Sequence, residues 1–426
     1  MKNLEDRPLE PSPAPHADRG PVTQSERIVS IDVLRGFAVL GILVMNIQSF
    51  AMPGSAYVNP TSYGDLTGLN LAVWLVSHAL CDAKFMTIFS MLFGAGIILM
   101  TSRREQAGQG SAGPHYRRMG VLLVVALIHG YLLWYGDILY TYAMCGFLIY
   151  LFRKCQPMTL LIVGTSAIAI GSAISVFFGW SMQFWPDEAV DGVLAFWQPS
   201  AEAMATDLEI YRGPWLGQLA YRAPTTFFFQ TFLFLFEFVW RAGGVMLVGM
   251  ALHKVGVFGA SLSSRTYGVL VALGLFVGIP VVLFGVYRNF AADWDGRTCF
   301  YFGIQFNYWG SLLVSLGWIG MIMLACKHDI LPPVRRALAA AGQMAFTNYL
   351  MQTVICTAIF YGHGFALYGK VERAGQILIV FAVWVLQLVV SPFWLRYFRF
   401  GPMEWLWRSL TYGKPQPMRR SPPSVQ

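Results

Sequence analysis

Ten apolar stretches, divided by short segments that collect arginine and lysine, leave this chain one class of fold. They fall at about 32–52, 70–101, 118–135, 137–152, 158–180, 225–252, 266–288, 304–326, 345–361 and 375–395. Roughly 20 mostly apolar residues cross a bilayer as one helix, so the pattern specifies an all-α, polytopic integral membrane protein with about ten transmembrane helices. Composition agrees: 56% of the 426 residues are hydrophobic and 12% charged, where a soluble domain carries about 25% charge. The net charge of +8 does not point to nucleic acid, because the basic residues sit in short runs between apolar stretches.

Charge also sets the orientation. With both termini cytoplasmic, the inside segments hold Lys2, Arg7, Arg19 and Arg27; Arg103, Arg104, Arg117 and Arg118; Arg153 and Lys154; Lys254 and Arg265; Lys327, Arg335 and Arg336; and every basic residue from Arg396 onward. The outside segments hold only Arg212, Arg222, Arg288, Arg297, Lys370 and Arg373. That asymmetry is what the positive-inside rule produces.

Residues 1–27 are Pro-rich and polar with no apolar run, which reads as a disordered cytoplasmic lead and not a signal peptide. Residues 28–395 form a single transmembrane domain. Its largest outside loop, about 181–224, is acidic and rich in Trp and Pro, and reads as a lid or amphipathic flap. Residues 396–426 make a cytoplasmic tail combining Trp405 and Trp407 with Arg396, Arg399 and Arg408. Such a tail is an interfacial anchor on an anionic leaflet, with cofactor contact as the alternative. The six cysteines are scattered singly, without CxxC or metal-ligand spacing, so neither a disulfide framework nor a metal site is expected.

Polar side chains inside the spans are the candidate functional groups, since each is costly in lipid and must face protein or water. The first span, IDVLRGFAVLGILVMNIQSFAM, carries Arg35 and Asn46 on one face, about three turns apart. It reads as the wall of an intramembrane cavity. Arg35, three residues after Asp32, is either a snorkelling anchor or the holder of a phosphate-bearing cofactor. Asn46 is either an interhelical hydrogen bond or a catalytic group. His129 and Asp137 form either a general base with its orienter or a structural histidine beside a helix cap. The turn at Gly136 leaves their contact open.

Lys84 is either a snorkelling cation or a contact for an anionic substrate. It lies where the stretch 70–101, too long for one untilted helix, is expected to break, near Asp82–Lys84. Glu237 and Arg241, four apart, read as an ion pair or as substrate contacts in a wet cavity. Asn348 and Gln352 share a helical face, for interhelical bonding or for substrate. GAG at 94–96 follows no strand and reads as a helix-packing site.

DVLRGFAVLGILVMNI, KFMTIFSMLFGAG, LIHGYLLWYGDIL, GQMAFTNYLMQ and FGPMEWLWRSLTYG, in this order, resemble the successive signatures of the YeiB-type bacterial inner-membrane proteins. The C-terminal half of that family is a domain of unknown function. The resemblance covers everything after the lead and implies a multi-pass protein of the bacterial inner membrane, without an assigned activity. The first helix is more distantly similar to that of transmembrane acyltransferases, among them heparan-alpha-glucosaminide N-acetyltransferase and the acyltransferase-3 proteins. Those move an acyl group from cytoplasmic acyl-CoA to a sugar or other acceptor. Acyltransferase-3 proteins pair an Arg and a His eleven positions apart; here Arg35 matches and Asn46 stands at the His position. The heparan enzyme has Asn there and uses a His in the following outside loop, whereas this chain has no His between Asn46 and His78.

The likeness therefore implies a role for His129 as base, Asp137 as its orienter, Arg35 on the CoA phosphates, and Asn46 or Lys84 at the oxyanion. Acyl-CoA is then a co-substrate and not a permanently bound cofactor, and an envelope glycan or lipid is the acceptor. A transporter of a small anion or lipid head group, using the same cavity without chemistry, is the alternative. A non-catalytic membrane assembly partner is a third.

Overall fold

A computed structural model describes residues 28–420, so the lead at 1–27 lies outside the described residues. Among the described residues no β-strand forms; a single antiparallel bridge joins Phe398 to Arg419. Eight helices are long and apolar enough to cross a membrane: Val29–Ala51, Gly68–Gln106, Ala112–Leu133, Pro157–Phe184, Trp215–Lys254, Ser264–Ala291, Gly296–Lys327 and Arg373–Tyr397. Two shorter apolar helices, Leu139–Phe152 and Ala345–Phe360, occupy the two remaining expected spans.

The first helix is the axis of the bundle. Its apolar window is 83% buried, against 22% for Arg373–Tyr397, so the first span faces protein all round while the last covers one side. Val33, Leu34, Ala38, Val39 and Leu43 have no exposed surface. The closest neighbour of the first helix is one the hydropathy pattern does not reveal, the helix Pro332–Gln343, which falls in an expected inside loop. Arg335 and Arg336 keep this helix too polar to read as a span. Its buried face is instead a stripe of small residues, Ala339 to Gly342. Gly36 meets the Leu338 carbonyl and Gly342 meets the Asp32 carbonyl so closely that a Cβ at either would collide with backbone. Gly342→Ala is therefore expected to destabilise the protein by about 1–3 kcal/mol, as overpacking does. Its melting temperature in detergent, compared with that of Gly96→Ala at an open position, checks this.

Several helices are interrupted. The segment Gly68–Gln106 breaks after Leu80, where Ala83 takes a left-handed φ of 61°, and resumes at Lys84. Wider π-type turns occupy His129–Leu133 and Phe229–Phe238. Gly94 packs against the Met246 carbonyl, while Gly96 faces open space, so only the first glycine of GAG is a packing site.

The acidic loop is a packed cap rather than a loose flap. It folds into helices Asp187–Trp197 and Ala201–Arg212, the second capped by the Ser200 hydroxyl on the Ala203 N–H. Asn59 Nδ2 donates to the Trp197 carbonyl at 3.2 Å, Arg212 Nε to the Tyr368 carbonyl at 2.7 Å, and the Tyr368 hydroxyl to Asp207 at 2.8 Å. Burial pushes the Asp207 carboxyl above the usual range. At the other end, the tail helix Pro402–Tyr412 folds back under the bundle. Trp407 Nε1 donates to the Arg118 carbonyl at 2.9 Å.

Candidate functional site

A cavity of about 290 Å³ opens at the basic end of the bundle. Arg35, Arg103, Arg104, Arg118 and Arg408 line its mouth with Asp32 and Glu404. Val39, Ile42, Phe89, Leu92, Leu122 and Leu139 make an apolar shaft, and Tyr142 and Tyr349 stand farther in. Arg35 Nη1 donates to Asp32 Oδ1 at 3.1 Å, so the ion pair expected from their spacing forms, and both partners face the cavity. The Arg118 guanidinium lies 4.2 Å above the Trp407 ring, which holds one wall of the mouth in place.

Glu404 ties the tail to this wall. Its carboxylate accepts the Phe346 N–H at 2.7 Å, the Thr347 N–H at 3.1 Å and the Thr347 hydroxyl at 2.6 Å. These are N-terminal donors of the helix Ala345–Phe360, where a negative charge is favourable. Burial raises the Glu404 carboxyl, and the bonds from Thr347 oppose that rise. The tail is thus part of the cavity rather than only an interfacial anchor.

Behind Tyr349 lies a chain of three polar side chains. His129 Nδ1 is 2.6 Å from Asp137 Oδ2, and His129 Nε2 is 2.9 Å from Thr353 Oγ1. The His129 and Asp137 side chains are 1% and 2% exposed. The carboxylate can only accept, so it places the imidazole proton on Nδ1 and leaves Nε2 to accept from the Thr353 hydroxyl. Asp137 Oδ1 also accepts the Tyr140 N–H at 2.8 Å, so the carboxylate both orients His129 and caps the next helix. The two roles left open by the sequence are compatible. The contact exists because a π-type turn begins at His129 and ends at Trp134, whose N–H bonds the His129 carbonyl at 3.0 Å.

That turn frees backbone carbonyls that lipid cannot satisfy. Thr226 donates to Gly130 at 3.1 Å, Arg222 Nε to Tyr131 at 3.1 Å, Arg222 Nη2 to Leu132 at 2.8 Å and Trp215 Nε1 to Leu132 at 3.0 Å. The neighbouring helix therefore holds His129 in place through backbone. The Tyr349 ring lies 5.4 Å from the imidazole, and its side chain is buried.

The other sequence candidates lie apart from this site. Asn46 does not line the cavity, and no hydrogen bond joins it to His129. Lys84 is fully buried and does not snorkel. The break at Ala83 turns its Nζ back to donate to the His78 carbonyl at 2.6 Å and to Asn307 Oδ1 at 2.6 Å. Asn307 in turn donates to Asp82, which also meets His78 Nδ1 at 3.0 Å. Among the described residues Glu237 and Arg241 form no ion pair. The π-type turns end at Phe238, between them, so the i, i+4 row is broken. Arg241 instead donates to the Tyr308 carbonyl at 2.8 Å and the Ser311 hydroxyl at 2.7 Å.

Asn348 and Gln352 tie helices together. Asn348 Nδ2 donates to the Ala341 carbonyl at 3.0 Å and Ser391 at 3.1 Å; Gln352 Nε2 donates to the Val39 carbonyl at 3.1 Å and Gln387 at 2.9 Å. Neither faces the cavity. Sequence reasoning passed over Thr353, Tyr349, Arg118 and Glu404. The i, i+4 spacing of Tyr349 and Thr353 puts them on one face, yet nothing in the sequence aims that face at His129.

The chain is 31% identical to the uncharacterised protein YeiB of Escherichia coli over 403 residues, which cover 91% of this chain and 96% of that protein. The chain belongs to the YeiB family. The uncharacterised YxaH of Bacillus subtilis is 32% identical over 421 residues, covering 94% of this chain and 98% of YxaH. Residues 252–414 match the model of a protein family of unknown function, DUF418. That region includes Tyr349, Thr353 and Glu404 but not Arg35 or His129, so in this YeiB-family chain the site is assembled from both halves. No solved structure matches the chain.

Proposed function

We propose that this chain is a transmembrane acyltransferase of the bacterial inner membrane. It takes acyl-CoA at its basic, cytoplasmic end and passes the acyl group to an envelope glycan or lipid acceptor reached from the opposite side. The observation that carries the reading is a cavity with an arginine mouth and an apolar shaft, ending at Tyr349 against the imidazole of His129. Arg35 and Arg118 suit the phosphates, since a guanidinium fork binds two oxygens at once. The shaft suits the pantetheine arm and acyl chain. His129, oriented by Asp137, is the base for proton removal. Neither Asn46 nor Lys84 lines the cavity, so Tyr349, which does, is the better-placed donor to a developing oxyanion.

Purified protein is expected to show an acyl-CoA-dependent rise in melting temperature and to transfer label from radiolabelled acetyl-CoA to a bacterial envelope extract. Arg35→Ala is expected to weaken acyl-CoA binding about tenfold, as loss of a charged hydrogen bond does. No thermal shift and no transfer would rule the reading out.

A second reading, carriage of a small anion or lipid head group, draws on the interrupted helices at Cys81–Ala83 and at Met344, a feature of transporter binding sites. Proteoliposomes separate the two: a carrier delivers its ligand unchanged to the far side, and a transferase delivers a modified acceptor.

A further inference from the structure

The arrangement Asp137–His129–Thr353 is a hydroxyl, an imidazole and a carboxylate in hydrogen-bonded series, at 2.9 and 2.6 Å. A hydroxyl with its proton directed at an imidazole whose other nitrogen is held by a carboxylate is an activated nucleophile. We propose that Thr353 is a covalent acyl carrier, so that the acyl group rests as an ester on its Oγ1 between the thioester donor and the acceptor. This rests on the acyl-transfer reading and makes the reaction a double displacement.

Geometry supports the assignment in three ways. Thr353 lies one turn beyond Tyr349 on the same helical face. Tyr349 lines the cavity and Thr353 does not, so the carrier requires Tyr349 to move aside for the acyl group to reach Oγ1. Thr353 is buried, which keeps water from an ester formed there. Finally, Thr353 is not needed to place His129. Asp137 already fixes the ring through Nδ1, and Thr226, Arg222 and Trp215 hold the turn's backbone.

The step balances without a further reactant. Thr353 Oγ1 adds to the thioester carbonyl carbon while His129 Nε2 takes the hydroxyl proton. The C–S bond then breaks and the proton passes to the departing thiolate, giving CoA thiol and an acyl-threonine ester. In the second half an acceptor hydroxyl or amine adds to that ester. His129 takes the acceptor's proton and returns it to Thr353 Oγ1 as the C–O bond breaks.

The test uses full-length protein in detergent with acetyl-CoA or decanoyl-CoA and no acceptor. An acyl-enzyme predicts exchange of label between free CoA and acyl-CoA, together with an acid-stable, hydroxylamine-sensitive acyl adduct mapped by mass spectrometry to Thr353. Thr353→Val, which keeps the shape, is expected to lose exchange and adduct at least a hundredfold while still giving an acyl-CoA-dependent thermal shift. Thr353→Ser is expected to restore both. Transfer to an envelope extract without exchange or adduct, or with full activity in Thr353→Val, overturns the carrier and leaves direct transfer standing. Absence of transfer, exchange and thermal shift alike overturns the acyl-transfer reading and the carrier with it.

Discussion

On the proposed acyl-transfer reading, His129→Ala is expected to lower the rate of transfer by about 10²–10⁴-fold, the usual worth of a positioned general base. Asp137→Asn is expected to fall in the same range although it preserves shape. An amide can donate to Nδ1, which moves the imidazole proton to Nε2 and removes the base. The check is initial rates with radiolabelled acetyl-CoA and envelope extract, run beside melting temperatures of both variants. A purely structural His129–Asp137 pair would instead lower stability while leaving the rate per folded molecule unchanged. Both side chains are almost wholly buried, at 1% and 2% exposure, so the melting data are needed to keep the two cases apart.

Arg222→Ala is expected to have the largest effect on stability. The side chain is fully buried and donates to two carbonyls of the turn that carries His129, at 3.1 and 2.8 Å. Leaving two buried carbonyls with fewer donors costs about 1–3 kcal/mol each. Trp215 still serves Leu132, so the loss falls mainly on Tyr131. A total of about 3 kcal/mol is the expected scale, read as a fall in melting temperature in detergent. Because the same turn sets the His129–Asp137 contact, transfer should fall as well. Arg222→Lys, with one compact donor group in place of the fork, is expected to recover part of the stability. A melting temperature equal to the parent's would show that the turn is held by other means.

The fold was largely legible in the sequence. The ten apolar stretches match eight long helices and two short ones, and the break expected near Asp82–Lys84 occurs at Ala83. The helix Pro332–Gln343 was hidden because its burial depends on glycine-mediated backbone contact with the first helix, which hydropathy does not register. The site was legible only in pieces. Arg35 and Asp32 pair as their spacing implies, since i, i+3 neighbours on a regular helix must meet. Glu237 and Arg241 have the same kind of spacing and do not pair, because the helix between them is not regular. Asn348 and Gln352, read as interhelical bonds or substrate contacts, bond Ser391 and Gln387 of another helix, and Lys84, read as a snorkelling cation or a substrate contact, bonds Asn307 instead.

The sequence by itself determined that this is a multi-pass helical membrane protein, and where its spans lie. In lipid each helix must satisfy its own backbone, so length and hydropathy along the chain suffice. Tertiary structure alone decided which polar groups meet. His129 reaches Asp137 through a widened turn and Thr353 across 224 positions of sequence, and Glu404 reaches Thr347 only because the tail folds back. Such meetings depend on how helices are broken and packed against one another, and no periodicity within a single helix encodes that.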